Sequence, residues 1–412
     1  MTAPDMTAPD MTAGTGAADV VILGTGMTDL SRRDLDPETM ACEVVRQALD
    51  DAGVPPEELG LVIVGNAMAG RLSDQGCMRG QSWLRKAGLN EAAIVNVDNS
   101  CAGGSSALHL ATMAATVGDR PVLALGVEKM WTGDRAETIA GIEDGLPAEY
   151  RRDLHERRHE DDNPAGSILM GLNNAWAQRL MAETGTTLRQ IASAAVKAFD
   201  HAARNPLTQF QRRVTLDDVL RSPQVAGVLT RLMCSSFTDG AAAAVLAGPM
   251  TRSPASAPRI IGSVARSGNG MLDYHDRLAQ VAEAAWESFG FGPDETDMVE
   301  LHDATAAEEL YALESLGFFA PGEAGPATES GATRVDTPGL AVNPSGGLVG
   351  RGHPLGATGM DQVVELATQL RGRAGDRQVE GARTGMAVNT GGIIYGDAGI
   401  VCIHAVRAGS PA

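Results

Sequence analysis

The chain has 412 residues, 43% apolar and 21% charged, with aromatics at only 4% and a formal net charge of −19. That length holds two domains, or one large domain built of two units, and the balance is that of a globular protein. The negative charge excludes binding of nucleic acid through its phosphates, which needs a basic face, but leaves room for a local basic pocket.

The N-terminus, MTAPDMTAPDMTAG, repeats MTAPD and has neither a basic nor an apolar segment, so it is not a signal peptide. Residues 1–17 are expected to be a disordered leader. An apolar strand follows at 20–23, then a helix at 37–52 with Ala41, Val44, Val45 and Ala48 on one face, and a strand at 61–65. VNVDNSCAGGSSALHLA begins as a short strand and passes into an apolar helix over 101–117; PVLALGVE gives a strand at 121–127. From 259 the same order returns: a strand in RIIGSVA, a helix at 278–289, a strand at 297–301, and a short strand, loop and helix at 356–370. GMAVNTGG and GIVCIHAV supply two closing strands.

A supersecondary unit used twice implies duplicated half-domains, and strands alternating with helices imply mostly parallel sheets covered on both faces. We divide the chain into an N-terminal half, 18–257, and a C-terminal half, 258–412. In the first half a long segment, 128–238, separates two strands that nearly touch in the second. It is expected to be an inserted cap, helical near 174–184 and 188–204, over a substrate cleft. No apolar run reaches 18 residues, so no membrane span is expected. Five scattered cysteines without CxxC spacing argue against disulfides and zinc knuckles, and for a reducing, cytoplasmic setting.

Cys101 opens the central helix of one half, and His353 lies just before the matching helix of the other. Packed about a pseudo-two-fold axis, both would face one cleft. The helix dipole and a nearby imidazole are expected to lower the thiol pKa by roughly a unit or more from about 8.5. Gly103 and Gly104 are expected to let backbone approach a ligand. Two other motifs compete. HERRH at 155–159 has HExxH spacing but sits in a charged segment with no third ligand, so no metal is expected. GTGMTD at 24–29 lacks the third glycine of a dinucleotide loop.

NSCAGGSSALHLA, FTDGAAAAVL, LHDATAAEEL and NPSGGLVGRGHPLGATG, in that order, resemble the thiolase superfamily, and specifically its sterol-carrier-protein-type branch. The resemblance covers about 18–408. It implies a five-layered α/β/α/β/α fold, a homodimer, and acyl transfer from a coenzyme A thioester with no permanently bound cofactor. It makes Cys101 the nucleophile, His353 its base and His302 the group facing the thioester oxygen. The N–H groups of Cys101 and Gly391 would form a second oxyanion hole, and Ser235 and Gly352 would contact substrate. Arg204, Arg212, Arg213 and Arg231 could meet the cofactor phosphates.

The pattern breaks at the second acid/base. Asn389 stands at the position of one family cysteine, and Ala304 at that of the other. Neither can move a proton, so Claisen condensation is expected to be weakened, leaving transfer to a nucleophilic acceptor. The alternatives are retro-aldol or retro-Claisen cleavage, or 3-ketoacyl-CoA thiolysis, with a small zinc-ribbon/OB-fold partner, and non-catalytic acyl-CoA or lipid binding.

Overall fold

The computed structural model describes residues 19–31, 34–157 and 167–410. The leader at 1–17 and His159 of the HERRH stretch lie outside them. The strands are β1 (Val20–Met27), β2 (Leu61–Gly65), β3 (Ala93–Val97), β4 (Val122–Glu128), β5 (Gln224–Ala226), β6 (Leu229–Thr230), β7 (Gly240–Ala247), β8 (Arg259–Ser267), β9 (Met298–Glu300), β10 (Ala341–Val342), β11 (Thr384–Ile394) and β12 (Asp397–Arg407). β5 and β6 form a hairpin of their own. The rest make one sheet in the order β10-β9-β11-β12-β8-β1-β7-β4-β2-β3.

That order is palindromic. Outward from the β1–β8 seam, each half runs through two antiparallel pairings and then two parallel ones. The seam itself is narrow, with only Val20 opposite Ile260 and Val21 opposite Arg259.

Strand alternation decides which layer each side chain enters. On β7, Ala241, Ala243 and Val245 share a core with Met40, Val44 and Ala48 of the outer helix Pro37–Ala52. Their neighbours Ala242, Ala244 and Leu246 meet a second core, with Leu108 and Ala111 of helix Gly103–Val117 and Met360 and Val363 of helix Thr358–Leu370. Met298, Ala387 and Val406 from the other half-sheet join this same core. A third core packs helix Tyr274–Phe289 on β8 and β12 through Leu278, Val281, Val264 and Val401. The result is outer helix, half-sheet, two central helices, half-sheet, outer helix, which is the five-layered arrangement.

The central helices approach through glycines. A Cβ on Gly104 would lie 2.9 Å from the Gly356 carbonyl, and one on Gly359 would lie 1.9 Å from Ser105 Oγ. These small residues therefore serve helix contact, not the ligand approach expected for Gly103 and Gly104: a Cβ on Gly103 would meet the Asn66 backbone at 3.2 Å. GTGMTD is not a loop either. Gly24 to Met27 belong to β1, and Gly24 is pressed against Ala48 and Ala52.

Between β4 and β7, residues 129–239 carry helices Arg135–Glu143, Ala148–Arg157, Ile168–Thr184, Leu188–Ala202 and Leu216–Leu220 and the β5–β6 hairpin. The matching β11–β12 connection is Tyr395 and Gly396 alone. The first long cap helix starts six residues before the expected 174 because Ser167 caps it, its side chain accepting from Met170 N. Helix Ala306–Ser315, capped by Thr305, was not anticipated. Among the described residues, no helix is long and apolar enough to cross a membrane.

Candidate active site

Cys101 sits in a 3₁₀ turn, Ser100–Ala102, that leads directly into helix Gly103–Val117. The half-two counterpart is the turn Leu355–Ala357 ahead of helix Thr358–Leu370, with His353 in the loop before it. His302 follows the end of β9. One ligand atom from each of Cys101, His302 and His353 lies within 4.8 Å of the others, and the two imidazole centroids are 5.0 Å apart.

Buried carboxylates from both halves hold these loops. Glu128, at the end of β4, accepts from Gly356 N at 3.0 Å and from Ala67 N, Met68 N and Asn66 Nδ2. Asp303 accepts from Leu348 N and Val349 N, tying the residue after His302 to the segment before His353. The last stretch of the cap completes the wall: Phe237 bridges His353, Cys234 bridges Thr305, and Ser235 N donates to Ala304 O at 3.0 Å.

Hydrogen-bond partners assign the two imidazoles opposite tautomers. His302 Nδ1 accepts from Thr390 N at 3.0 Å, so neutral His302 carries its proton on Nε2. Thr358 Oγ1 donates to Pro354 O at 3.1 Å and therefore accepts from His353 Nδ1–H at 2.7 Å, leaving His353 Nε2 with a bare lone pair. One ring is a donor at Nε2 and the other an acceptor.

Burial sets the charge state. It pushes the Cys101 thiol up to about 12, with Ser100 opposing and Glu128 adding to the rise. The expected fall is thus reversed: the apolar collar of Met68, Met130 and Leu355 around the sulfur outweighs the helix end. Burial lowers His302 to about 4, and drives His353 well below the usual histidine value with help from His302 and Arg351. The resting site is a thiol beside two neutral imidazoles. A sulfur with two imidazoles is a zinc-like donor set. Yet a metal on His302 Nε2 would require a proton on Nδ1, where the Thr390 N–H already points.

These groups open into a cavity of about 720 Å³. Its walls are largely apolar, including Trp131, Ile142, Met170, Trp176, Phe210 and Ile393, with Arg135 and Arg231 exposed on its rim. Ser235 and Ala304 line it. Asn389 does not: it is fully buried opposite Cys402 on β12, and neither side-chain polar atom has a hydrogen-bond partner among the described residues. Strand alternation turns Thr390 to the cavity instead. Gly352 is also absent from the lining. It has φ of 114°, and a Cβ would lie 2.3 Å from Thr238 Oγ1, so it shapes the loop rather than touching substrate. Gly391 is packed against the nucleophile turn, where a Cβ would lie 2.8 Å from Ala102 N.

The four arginines separate. Arg204 and Arg213 are ion-paired with Asp200, Arg212 lies over the Phe210 ring, and only Arg231 lines the cavity. His155 of HERRH pairs with Glu143 at 2.9 Å. Asp239 anchors the cap entrance, its Oδ1 accepting from Met130 N and Trp131 N. The sequence did not reveal Thr390, Thr358, Tyr274 or Glu308. The paired glutamates in TAAEEL were the available signal, since an inward-facing acid on a helix needs a reason.

The family model described as "Thiolase, N-terminal domain" matches residues 20–249, and "Thiolase C-terminal domain-like" matches 271–403. An acetyl-CoA acetyltransferase of Methanothermobacter thermautotrophicus is 36% identical over 386 residues, covering 91% of this chain and 96% of its own. Sterol carrier protein 2 of Bos taurus is 33% identical, covering 90% of this chain and 70% of its own. Among solved structures, an Ltp2-ChsH2(DUF35) aldolase superposes with TM-score 0.78 at 22% identity, covering 96% of this chain and 99% of that one. Human mitochondrial 3-ketoacyl-CoA thiolase in complex with CoA gives 0.70 at 15%, covering 96% and 100%.

Proposed function

The chain belongs to the thiolase family, and from that premise we propose that it is an acyltransferase that takes its acyl group from a coenzyme A thioester through a covalent intermediate on Cys101. The observation that carries the reading is the thiol held between a proton-accepting His353 Nε2 and a proton-donating His302 Nε2.

Because the resting thiol keeps its proton, attack and deprotonation are concerted. Cys101 Sγ bonds to the thioester carbonyl carbon as its proton passes to His353 Nε2. The carbonyl oxygen becomes an oxyanion beside His302 Nε2–H, with the N–H groups of Cys101 and Gly391 as second-site donors; each such donor is worth roughly 3–4 kcal/mol. Breaking the C–S bond of the thioester releases coenzyme A sulfur, which takes the proton back from His353. The pantetheine arm would pass Ser235, with Arg231 near the phosphates.

The second half-reaction needs an acceptor that brings its own nucleophile. Ala304 offers no titratable group at the cavity, and Asn389 does not reach it. A homodimer fits the surface: β3 is the terminal strand of the sheet, and Val95 on it and Leu110, Met113 and Val117 on the adjoining helix are exposed.

Incubation with acetyl-CoA and intact-mass spectrometry tests the reading. An acetyl adduct is expected on wild type and absent from Cys101→Ala. Bound acyl-CoA without an adduct would support a binding role. Cleavage of a β-hydroxyacyl-CoA that survives Cys101→Ala would support the lyase alternative, which needs no nucleophilic sulfur, and a co-purifying zinc-ribbon/OB-fold protein would identify its partner.

A further inference from the structure

Among the described residues that line the cavity, Glu308 is the one acidic side chain. It lies in the first turn of helix Ala306–Ser315 and is 4% exposed. Among the described residues, its one side-chain donor is His275 Nε2, 3.1 Å from both oxygens. A carboxylate has about four acceptor sites, so this one is short of donors. Its neighbour Glu309 shows the contrast, with Lys197 Nζ at 2.6 Å on one oxygen and Asn343 Nδ2 at 2.8 Å on the other. The cavity is the side from which further donors can reach Glu308.

The surroundings suit a cation on an apolar body. Trp176 and Tyr274 both line the cavity, stacked at 4.5 Å, and aromatic faces attract ammonium groups. The Tyr274 hydroxyl feels both the Glu308 carboxylate and the Cys101 sulfur, and it lies 2.5 Å from Thr390 Oγ1, the neighbour of His302. This acidic corner and the acylated sulfur therefore share one chamber.

We propose that Glu308 is the acceptor-binding residue of the second half-reaction and that the acceptor is a primary amine on an apolar, ring-bearing body. This rests on the acyl-enzyme reading above. The amine arrives as an ammonium ion against Glu308 and gives it one proton, which returns to solvent. The nitrogen then attacks the acyl carbon. A C–N bond forms, the bond to Cys101 sulfur breaks, and a second proton passes from nitrogen to His353 Nε2 and on to the sulfur. The product is an amide.

The test starts from enzyme acetylated with acetyl-CoA at pH 8, with adduct loss followed by mass spectrometry. Benzylamine should accelerate the loss saturably and yield N-benzylacetamide, and benzyl alcohol should not. Circular dichroism should show that Glu308→Gln folds, and its rate is read on the fraction that acetylates. Its amine-dependent loss should fall about tenfold or more, the scale of a hydrogen bond to a charged group. In wild type, benzyltrimethylammonium, which carries the charge without an N–H, should inhibit the benzylamine reaction competitively. Wild-type rates in Glu308→Gln, equal acceleration by benzyl alcohol, or no inhibition by the quaternary ion would overturn the assignment while leaving the acyl-enzyme intact. Absence of any adduct on wild type would remove both.

Discussion

The two halves of the molecule share one architecture and bring different side chains to one cavity. Each has the same strand order, the same outer helix and the same 3₁₀ turn leading into a central helix. In half one that turn carries Cys101; in half two the equivalent position is Gly356, and the candidate base, His353, lies just before the turn. Half one spends residues 129–239 on a cap where half two makes a tight turn. A duplicated frame thus supplies rigidity twice and lets each copy contribute a different functional group to the cleft between them. Half two also leans on half one, because Glu128 of half one holds the loop that follows His353 of half two.

That comparison breaks most severely at its half-two side chains. His353→Gln should slow acyl-enzyme formation by about 100- to 10,000-fold, and His302→Ala by about 100- to 1,000-fold, both read by rapid quench with acetyl-CoA. A loss confined to half-one variants would show that the second half is scaffold only. Next is the contact between the central helices. Gly359→Ala places a Cβ 1.9 Å from Ser105 Oγ, and overpacking of this kind costs roughly 1–3 kcal/mol. Calorimetry should show a lower melting temperature, and an unchanged one would mean that the halves do not pack through this glycine.

The pH profile sharpens the division of labour. His353 must be unprotonated to act as base, and its pKa is depressed, so protonation removes activity only well below the ordinary histidine value. His302, lowered to about 4, stays neutral over the same range. Neither imidazole should therefore contribute an inflection near 6.5 to the acylation rate. A half-maximal rate near 6.5 would place the base in a solvated environment. The smallest effect concerns the rim: Arg231→Ala should raise the KM for acyl-CoA severalfold, while Arg213→Ala, paired with Asp200 outside the cavity, should change it less than about twofold. Equal effects would move the cofactor path.

The repeat was legible because it is local: strand and helix periods recur in the same order, and Cys101, His302 and His353 sit in recognisable motifs. What escaped was what depends on three dimensions. Thr390 takes the cavity position instead of Asn389 because a strand alternates its faces, and the motif alone does not say which face is which. The direction of the thiol shift was misread because the sequence shows the helix start but not the Met68 and Met130 side chains that enclose the sulfur. The tautomers depend on Thr358 and Thr390 meeting the rings, and only the fold turns Glu308 inward.

The central claim is that a thiol from one half and two imidazoles from the other act as a single acyl-transfer unit. Rapid mixing of enzyme with acetyl-CoA tests it most directly. The account predicts a burst of free coenzyme A approaching one equivalent per chain, coincident with an acetyl group on the peptide containing Cys101, and slowed together with it in His353→Gln. Tight binding of acetyl-CoA with neither a burst nor a modified peptide would contradict it.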